Sequence, residues 1–301
     1  MIQKIIKRLF FYENYVVAYR FLNDNNTKIG VSTPTFDIIN PKGFTWYADP
    51  FPYKYQDKHY IFVEEYNIWK SCASIAVYCI EERKKPKTII SEDFHMSYPN
   101  VFCWNKEIYM IPETHEAKQL RLYKCIEFPE KWKLHSILLD NVDFADSSLL
   151  INNEGIWIET MEDQGNLKYS NRFFRLDIEQ LEMFEIFPDK NFWIDKRPAG
   201  NFFKIKDEWH HALQECSSAY GEYMHIARVI TFNNQDFKEE IYRELRTSDY
   251  KIKSSLPFIY THTLNRCNNL EVIDLLFLKF SIFKPIAALW RKLCRQQRSR
   301  N

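Results

Sequence analysis

The chain has 301 residues, of which 46% are hydrophobic and 17% aromatic, with only six glycines; this composition is typical of a large packed core and excludes a disordered or fibrous protein. Its 41 basic and 40 acidic side chains nearly cancel, so no global field would attract nucleic acid or another polyanion. The seven cysteines form no CxxC pair and are odd in number, which predicts free thiols in a reducing cytoplasm.

The N-terminal residues 1–14 are basic and apolar. They lack the long apolar core and the small-residue cleavage site of a secretory signal. We interpret them as an amphipathic basic segment, followed by an early strand in "YVVAYRFL" (15–22). Nowhere does the sequence contain about 18 consecutive apolar residues, so no membrane-spanning helix is predicted.

A repeat of about 50 residues occupies the region 15–275. "ADPFPYKYQDKHYIFVEE" from Ala48 aligns with "SYPNVFCWNKEIYMIPET" from Ser97, and further copies begin at Ala145, Arg197 and Thr261. Each copy reads as a bend, an alternating strand, a polar turn and a second strand. With further strand-like stretches between the copies, four strands per repeat predict an all-β fold, a five-bladed β-propeller. The alternative is an irregular β-sandwich with chance similarity.

The C-terminal residues 276–301 have a different character. Between residues 275 and 301 there are seven basic side chains and no acidic one, and the apolar residues follow a helix-like period broken at Pro285. Two readings stay open: a helix lying in a membrane interface, or a capping helix with a basic tip. The N-terminal segment permits the same two readings. The expected architecture is therefore a propeller with short amphipathic basic terminal helices, placed on the inner face of the cytoplasmic membrane.

The repeat starts are the candidate site. They fall at Asp49, Tyr98, Asp146, Ala199 and His262. Because the innermost strand of each blade lines the axis of a propeller, residues at these starts should converge on one pocket. Residues that close the repeats lie one hairpin away and could reach the same rim: Glu64, Glu113 and Gln214.

Carboxylates around one pocket can divide acid and base roles if their environments separate their pKa values. Arg197, beside Lys196, could hold a phosphate or carboxylate through its guanidinium group. The alternative is that Asp49 and Asp146 cap turns by accepting hydrogen bonds from backbone amides.

Other chemistries find little support in the sequence. No GxSxG surrounds a serine, no histidine is tied to Cys216, and His210 and His211 would face opposite sides of a strand. P-loop, GxGxxG, HExxH and calcium-loop patterns are not found. We therefore predict no cofactor, although the clustered carboxylates could hold a divalent cation.

The quoted blocks, with "RPAGNFF" and "ALQECSSAYG", resemble the N-terminal propeller domain of plant glucosamine inositolphosphorylceramide transferases. That domain also occurs as stand-alone bacterial proteins associated with surface-polysaccharide assembly. More distantly, the layout is similar to family 43 glycoside hydrolases. This likeness implies that Asp49 is a base and that Asp146 tunes its pKa. In those hydrolases a glutamate of blade four is the catalytic acid, and in this sequence only Glu215 could take that role. Tyr220 is a further candidate for substrate binding.

The leading functional hypothesis is a transferase that adds a sugar, from a phosphate- or diphosphate-linked donor, to a lipid-linked glycan of the bacterial surface. Arg197 and His262 would hold the donor phosphate. A furanoside hydrolase and a non-catalytic glycan-binding propeller that scaffolds a partner transferase are the alternatives. The expected partners are carbohydrate and a membrane surface, and not nucleic acid.

Overall fold

A computed structural model describes residues 9–23, 29, 33–163, 169–187, 192–193, 196–217, 221–233 and 235–286. Within these ranges the chain is mostly β-structure and forms five antiparallel sheets. Each sheet is one blade of a five-bladed propeller, which confirms the predicted fold class. Tyr220 and most of the two terminal segments lie outside the described residues.

The strands follow in chain order. Among the described residues the first two strands are β1 (Phe11–Phe21) and β2 (Asp37–Ile39), which belong to the last blade. Blade one contains β3 (Thr45–Tyr55), β4 (Lys58–Asn67), β5 (Cys72–Cys79) and β6 (Lys87–Ile90). Blade two contains β7 (Ser97–Trp104), β8 (Glu107–Glu113), β9 (Gln119–Glu127) and β10 (Lys131–Asp140).

The later blades are less regular. Blade three contains β11 (Phe144–Asn152), β12 (Gly155–Asp163), β13 (Tyr169–Asp177), β14 (Glu182–Glu185) and β15 (Phe192–Trp193). Blade four contains β16 (Lys196–Pro198), β17 (Phe203–Ile205), β18 (Glu208–Glu215), β19 (Tyr223–Phe232) and β20 (Phe237–Leu245); blade five adds β21 (Leu264–Cys267) and β22 (Leu270–Phe280). Two short 3-10 helices span His115–Ala117 and Thr247–Asp249.

The ring closes in blade five, whose strand order is β2-β1-β22-β21. Strand β1 pairs with β22 along its whole length, from Phe11 opposite Phe280 to Phe21 opposite Leu270. Blade five thus combines the first strand, β1, with the last strand, β22, and this pairing closes the ring. The strand predicted in "YVVAYRFL" is confirmed, and it helps to close the ring.

The repeat detected in the sequence corresponds to a β-bulge. Asp49, Tyr98 and Asp146 have φ angles of 46°, 48° and 52°, and the strand register shifts beside each of them. A bulge with a left-handed residue bends the strand and redirects side chains. The first three repeats therefore begin with the same backbone feature.

The core lies between neighbouring blades. Phe62 of blade one packs in one cluster with Met110 of blade two, and Ile111 of blade two packs with Ile158 of blade three. These side chains are fully buried, as the alternation of apolar residues along the strands predicts.

At the chain ends the described residues show helix only at 9–10 and 284–286. The strands β1 and β22 run slightly beyond the expected boundaries at residues 14 and 276. Among the described helical residues, none belongs to a helix that is long and apolar enough to cross a membrane.

Candidate functional site

A pocket of about 360 Å³ opens at one end of the propeller axis. All five blades contribute to its lining, because the strand ends converge there. Its charged lining residues are Asp49, Glu64, His95, Glu113, His115, Asp143, Asp146, Asp163, Arg197 and His262.

Carboxylates join successive blades beneath this pocket. Asp274 Oδ2 of blade five accepts a hydrogen bond from Asp49 N of blade one at 3.2 Å. Asp49 Oδ2 accepts one from Tyr98 N of blade two at 3.2 Å, and Glu113 Oε2 accepts one from Asp146 N of blade three at 3.1 Å. Each acid therefore satisfies the amide of the bulge residue in the next blade. Asp49 does accept a hydrogen bond from a backbone amide, but that amide belongs to the next blade and not to its own turn; Glu113 and Asp274 have the same role.

Asp49 is buried, and both its oxygens have partners. Thr263 Oγ1 donates to Asp49 Oδ1 at 3.0 Å, and His262 Nε2 lies 3.8 Å from the same oxygen. Burial raises the pKa of Asp49 well above its usual value, although the His262 charge opposes this. These contacts make Asp49 better suited to organising the pocket than to accepting a proton at neutral pH.

Asp146 lies beside a cation. Arg197 Nε donates to Asp146 Oδ2 at 2.7 Å, and Gln214 Nε2 reaches the same oxygen at 3.4 Å. Burial raises the pKa of Asp146 to about 6, against the opposing charge of Arg197 and with a further rise from Glu113. Asp146 therefore titrates close to neutral pH, in the range that a general base requires.

The neighbouring Glu113 has the opposite shift. Burial would raise its pKa, but a hydrogen bond from His115 Nδ1, at 2.8 Å, and the charge of Arg197 lower it to about 2. Two carboxyl groups in one pocket thus have well separated pKa values, a pattern found where acid and base roles are divided.

Two histidines add positive charge. Burial lowers the pKa of His262, but Asp274 Oδ2, 2.6 Å from Nδ1, raises it to about 9. Burial also lowers the pKa of His95, but Glu64, whose Oε1 lies 3.3 Å from His95 Nε2, raises it to about 9. Both imidazoles are therefore protonated at neutral pH.

One wall of the pocket is aromatic. The ring of Tyr15 lies 5.3 Å from that of Trp46 and stacks on His262 at 4.8 Å. Trp46 also stacks on Tyr66 at 4.5 Å. An aromatic wall facing carboxylates suits a sugar ring, which has apolar faces and polar edges.

Asp49, His262 and Asp274 offer ligand atoms that all lie within 4.8 Å of one another. Asp274 is already saturated, because Oδ1 accepts hydrogen bonds from His262 N and Thr263 N and Oδ2 accepts one from Asp49 N. This donor set is satisfied by the protein itself. The expectation of no cofactor, with carboxylates that could hold a divalent cation, stays a prediction.

Six of the predicted site residues line the pocket: Asp49, Glu64, Glu113, Asp146, Arg197 and His262. The structure corrects the placement of three others. Tyr98 contributes only its amide, because its ring is buried against Phe51 and its hydroxyl group bonds to Ser148 Oγ.

Gln214 and Glu215 are also placed differently from the expectation. Gln214 Nε2 lies 3.4 Å from Asp146 Oδ2 and donates a hydrogen bond to Pro198 O at 3.0 Å. Glu215, one residue later on β18, faces the other side of the strand and contacts Lys196 Nζ and His225 Nε2, each at 3.0 Å. Glu215 does not line the pocket, so the blade-four acid suggested by the hydrolase likeness is not supplied there. Tyr220 lies outside the described residues.

Sequence reasoning missed His95, His115 and Asp274. His95 and His115 stand next to repeat starts and ends but outside the aligned blocks. Asp274 had a usable signal, because the fifth repeat copy closes on it as earlier copies close on Glu64 and Glu113.

Comparison with known proteins agrees with the likeness noted in the sequence. The model of the family described as "Glucosamine inositolphosphorylceramide transferase 1, N-terminal" matches residues 23–271. Glucosamine inositolphosphorylceramide transferase 1 of Oryza sativa subsp. indica is 27% identical over 235 residues, covering 72% of this chain and 31% of the relative. The Arabidopsis thaliana protein of the same name is 28% identical over 211 residues, covering 64% and 26%. The alignments thus span about a third or less of these curated relatives.

Solved structures share the fold. The catalytic domain of Coprinopsis cinerea GH62 alpha-L-arabinofuranosidase superposes with a TM-score of 0.58 at 9% identity, covering 80% of this chain and 94% of that one. Xylan beta-1,4-xylosidase from Bacillus halodurans gives 0.55 at 12% identity, covering 83% and 54%. At such identities the likeness concerns the fold alone. Because the family model spans most of the sequence, the chain belongs to the glucosamine inositolphosphorylceramide transferase 1 N-terminal family.

Proposed function

We propose that the axial pocket binds carbohydrate and that the protein takes part in transferring a sugar to a lipid-linked glycan of the bacterial surface. One observation carries the proposal: Asp146, with a pKa of about 6, and Glu113, with a pKa of about 2, share a pocket with the Tyr15–Trp46 aromatic wall. The names of the relatives support transfer, and the carbohydrate-active enzymes among the fold neighbours support a sugar ligand.

In this proposal Asp146 is the base. It takes the proton of an acceptor hydroxyl group while that oxygen bonds to the anomeric carbon of the donor sugar. The bond from that carbon to the leaving group breaks, and the electron pair stays on the phosphate oxygen. Protonated His95 and His262 offset the negative charge that the donor phosphate brings. Asp49 holds the bulge of blade two in place.

The test is a transfer assay with phosphorylated sugar donors and a lipid-linked acceptor. Asp146→Asn should lower kcat by about 100-fold to 10,000-fold, the usual contribution of a general base. Asp57→Asn, in the exposed β3–β4 turn, is the matched control and should keep full activity. Turnover that is unchanged in Asp146→Asn would refute the assigned base.

A glycoside hydrolase is the second candidate, favoured by the separated pKa values of Asp146 and Glu113. Release of free sugar from an aryl furanoside, with no acceptor present, would support it over transfer. Saturable glycan binding with no turnover, together with copurification of a transferase, would instead support the scaffold role.

A further inference from the structure

The two chain ends form an exposed apolar surface with the loop before β3. We call it the terminal patch; its members are 46% to 61% exposed and are Leu9, Phe44, Phe280, Ile282, Phe283 and Ile286. Soluble surfaces rarely leave this many large apolar side chains together without a partner. The ring centroids of Phe44 and Phe283 lie 6.5 Å apart, so the patch is continuous across the two parts of the chain.

Ring closure brings the chain ends together. Phe11 lies opposite Phe280 in the β1–β22 register, and Ser281 N donates to Phe10 O at 2.7 Å. Lys284 Nζ donates to Phe11 O at 2.6 Å. Both ends of the chain therefore leave the propeller at the same edge.

The sequence at both ends is basic. Residues 1–12 contain Lys4, Lys7 and Arg8 and no acid, and residues 275–301 contain seven basic side chains and no acid. Glu13, exposed on β1, is the first acid beyond the N-terminal stretch. Each Lys or Arg near an anionic membrane strengthens binding to it. The combination of apolar side chains with clustered cations matches a bilayer interface, whose acyl layer can bury phenylalanine and isoleucine side chains. Nucleic acid has no such apolar layer.

The terminal patch adjoins the mouth of the pocket. Trp46 of the pocket wall follows Phe44 by two residues, and Tyr15 follows Phe11 by four on β1. At about 3.3 Å per strand residue, four residues cover only about 13 Å. A partner surface that contacts the terminal patch would therefore lie beside the opening of the pocket.

We propose that the terminal patch docks on an anionic lipid bilayer, with the pocket mouth beside the lipid surface. The orientation of the pocket toward a lipid-linked acceptor rests on the proposed function. The docking itself does not, because it depends on the patch and the basic chain ends alone.

The test measures cosedimentation of the full chain with vesicles, in the absence of any carbohydrate. Binding is expected to vesicles of phosphatidylglycerol and phosphatidylcholine, to weaken with salt, and to be at least about tenfold weaker for phosphatidylcholine alone. The double variant Ile282→Ser/Phe283→Ser should bind the anionic vesicles at least about tenfold more weakly. Its matched control is Ile137→Ser/Ile241→Ser, on the outer strands of blades two and four, where both side chains are similarly exposed.

Thermal melting of both double variants checks that they fold. Equal vesicle binding by the wild type and Ile282→Ser/Phe283→Ser would overturn the proposal. The proposal would also be wrong if the wild type does not bind vesicles but forms a dimer in analytical ultracentrifugation that this variant does not form. Equal affinity of the protein for heparin and for anionic vesicles would overturn it as well. Asp146→Asn should keep full vesicle binding, so a failure of the carbohydrate proposal is distinguishable from a failure of docking.

Discussion

Asp146 and Arg197 form the contact on which the chemistry of the pocket depends. The 2.7 Å hydrogen bond between them opposes the effect of burial on the Asp146 carboxyl group, whose pKa is about 6. Arg197 also helps to lower the pKa of Glu113. One guanidinium group thus acts to lower the pKa of two acids.

Replacing Arg197 with Gln should therefore move the acid limb of the pH–rate profile to higher pH. Without the cation the pKa of Asp146 rises above 6, and the ionised base is populated only at higher pH. The measurement is kcat/KM against pH in the transfer assay. Arg83→Gln, exposed in the connection between β5 and β6, should leave the profile unchanged; an unchanged profile in Arg197→Gln would disprove the coupling.

A second group of buried charges lies between blades three and four. His211 Nδ1 is 3.4 Å from both Glu159 Oε2 and Glu239 Oε2, and His211 is fully buried under the ring of Phe202. Burial raises the pKa of Glu159 to about 7, although the charge of His211 opposes this. Burial lowers the pKa of His211, but Glu159 and Glu239 together outweigh burial and raise it.

This group predicts a pH dependence of stability. The folded-state pKa of Glu159 lies above its unfolded value, so its contribution is complete below about pH 4.5 and is lost as the pH rises through about 7. Glu159→Gln should flatten the fall in melting temperature between pH 5.5 and pH 8. Exposed Glu154→Gln serves as the control, and a wild-type slope retained in Glu159→Gln would contradict the assignment.

At the scale of elements, the bulges position the site. The left-handed residues Asp49 and Asp146 begin two blades in the same way, and carboxylates from neighbouring blades hold their amides. Blade four differs, because Gly200 has φ +137° and a Cβ there would stand 2.1 Å from Leu264 O. The close approach of blades four and five requires glycine at this position.

Gly200→Ala should cost about 3 kcal/mol or more in unfolding free energy, from backbone strain and overpacking. Gly43→Ala is the matched control: φ is +57° but nothing lies within 4 Å of the added Cβ, so about 1 kcal/mol is expected. Urea unfolding measures both. Equal losses would show that the blade contact does not constrain Gly200.

The sequence predicts these elements unevenly. Repeats are visible because the acid, turn and bend recur at fixed spacing, and this placed Asp49, Asp146 and Glu113 correctly. The sequence does not predict the direction of the side chain at the bulge. Tyr98 has the same left-handed backbone conformation as Asp49, yet its ring is buried. The sequence also leaves the register of β18 open, so it does not show that Glu215 lies outside the pocket lining.

At the scale of the molecule, closure depends on a strand supplied by the N-terminal end of the chain. Arg20 Nε of β1 donates to Glu271 Oε1 of β22 at 2.7 Å, and both side chains are fully buried. The guanidinium group also lies 4.3 Å from the ring of Phe36. A buried ion pair therefore joins the first and last strands of the ring.

Arg20→Met should lower the unfolding free energy by about 3 kcal/mol, because it leaves a buried carboxylate short of one partner. Lys253→Met removes the exposed contact with Asp37 and should cost at most about 1 kcal/mol. Denaturant melts of both variants compare the two pairs. A loss in Arg20→Met no larger than that in Lys253→Met would mean that this pair does not secure the ring.

The most direct test of the carbohydrate pocket is a quantitative glycan-binding titration of the wild type, Trp46→Ala and Asp146→Asn, with Trp209→Ala of blade four as the control. We expect saturable binding to a glycan by the wild type and the control, and at least about tenfold weaker binding by the two pocket variants. Glycan binding that neither Trp46→Ala nor Asp146→Asn weakens, or a wild-type protein that binds no glycan, would contradict the account.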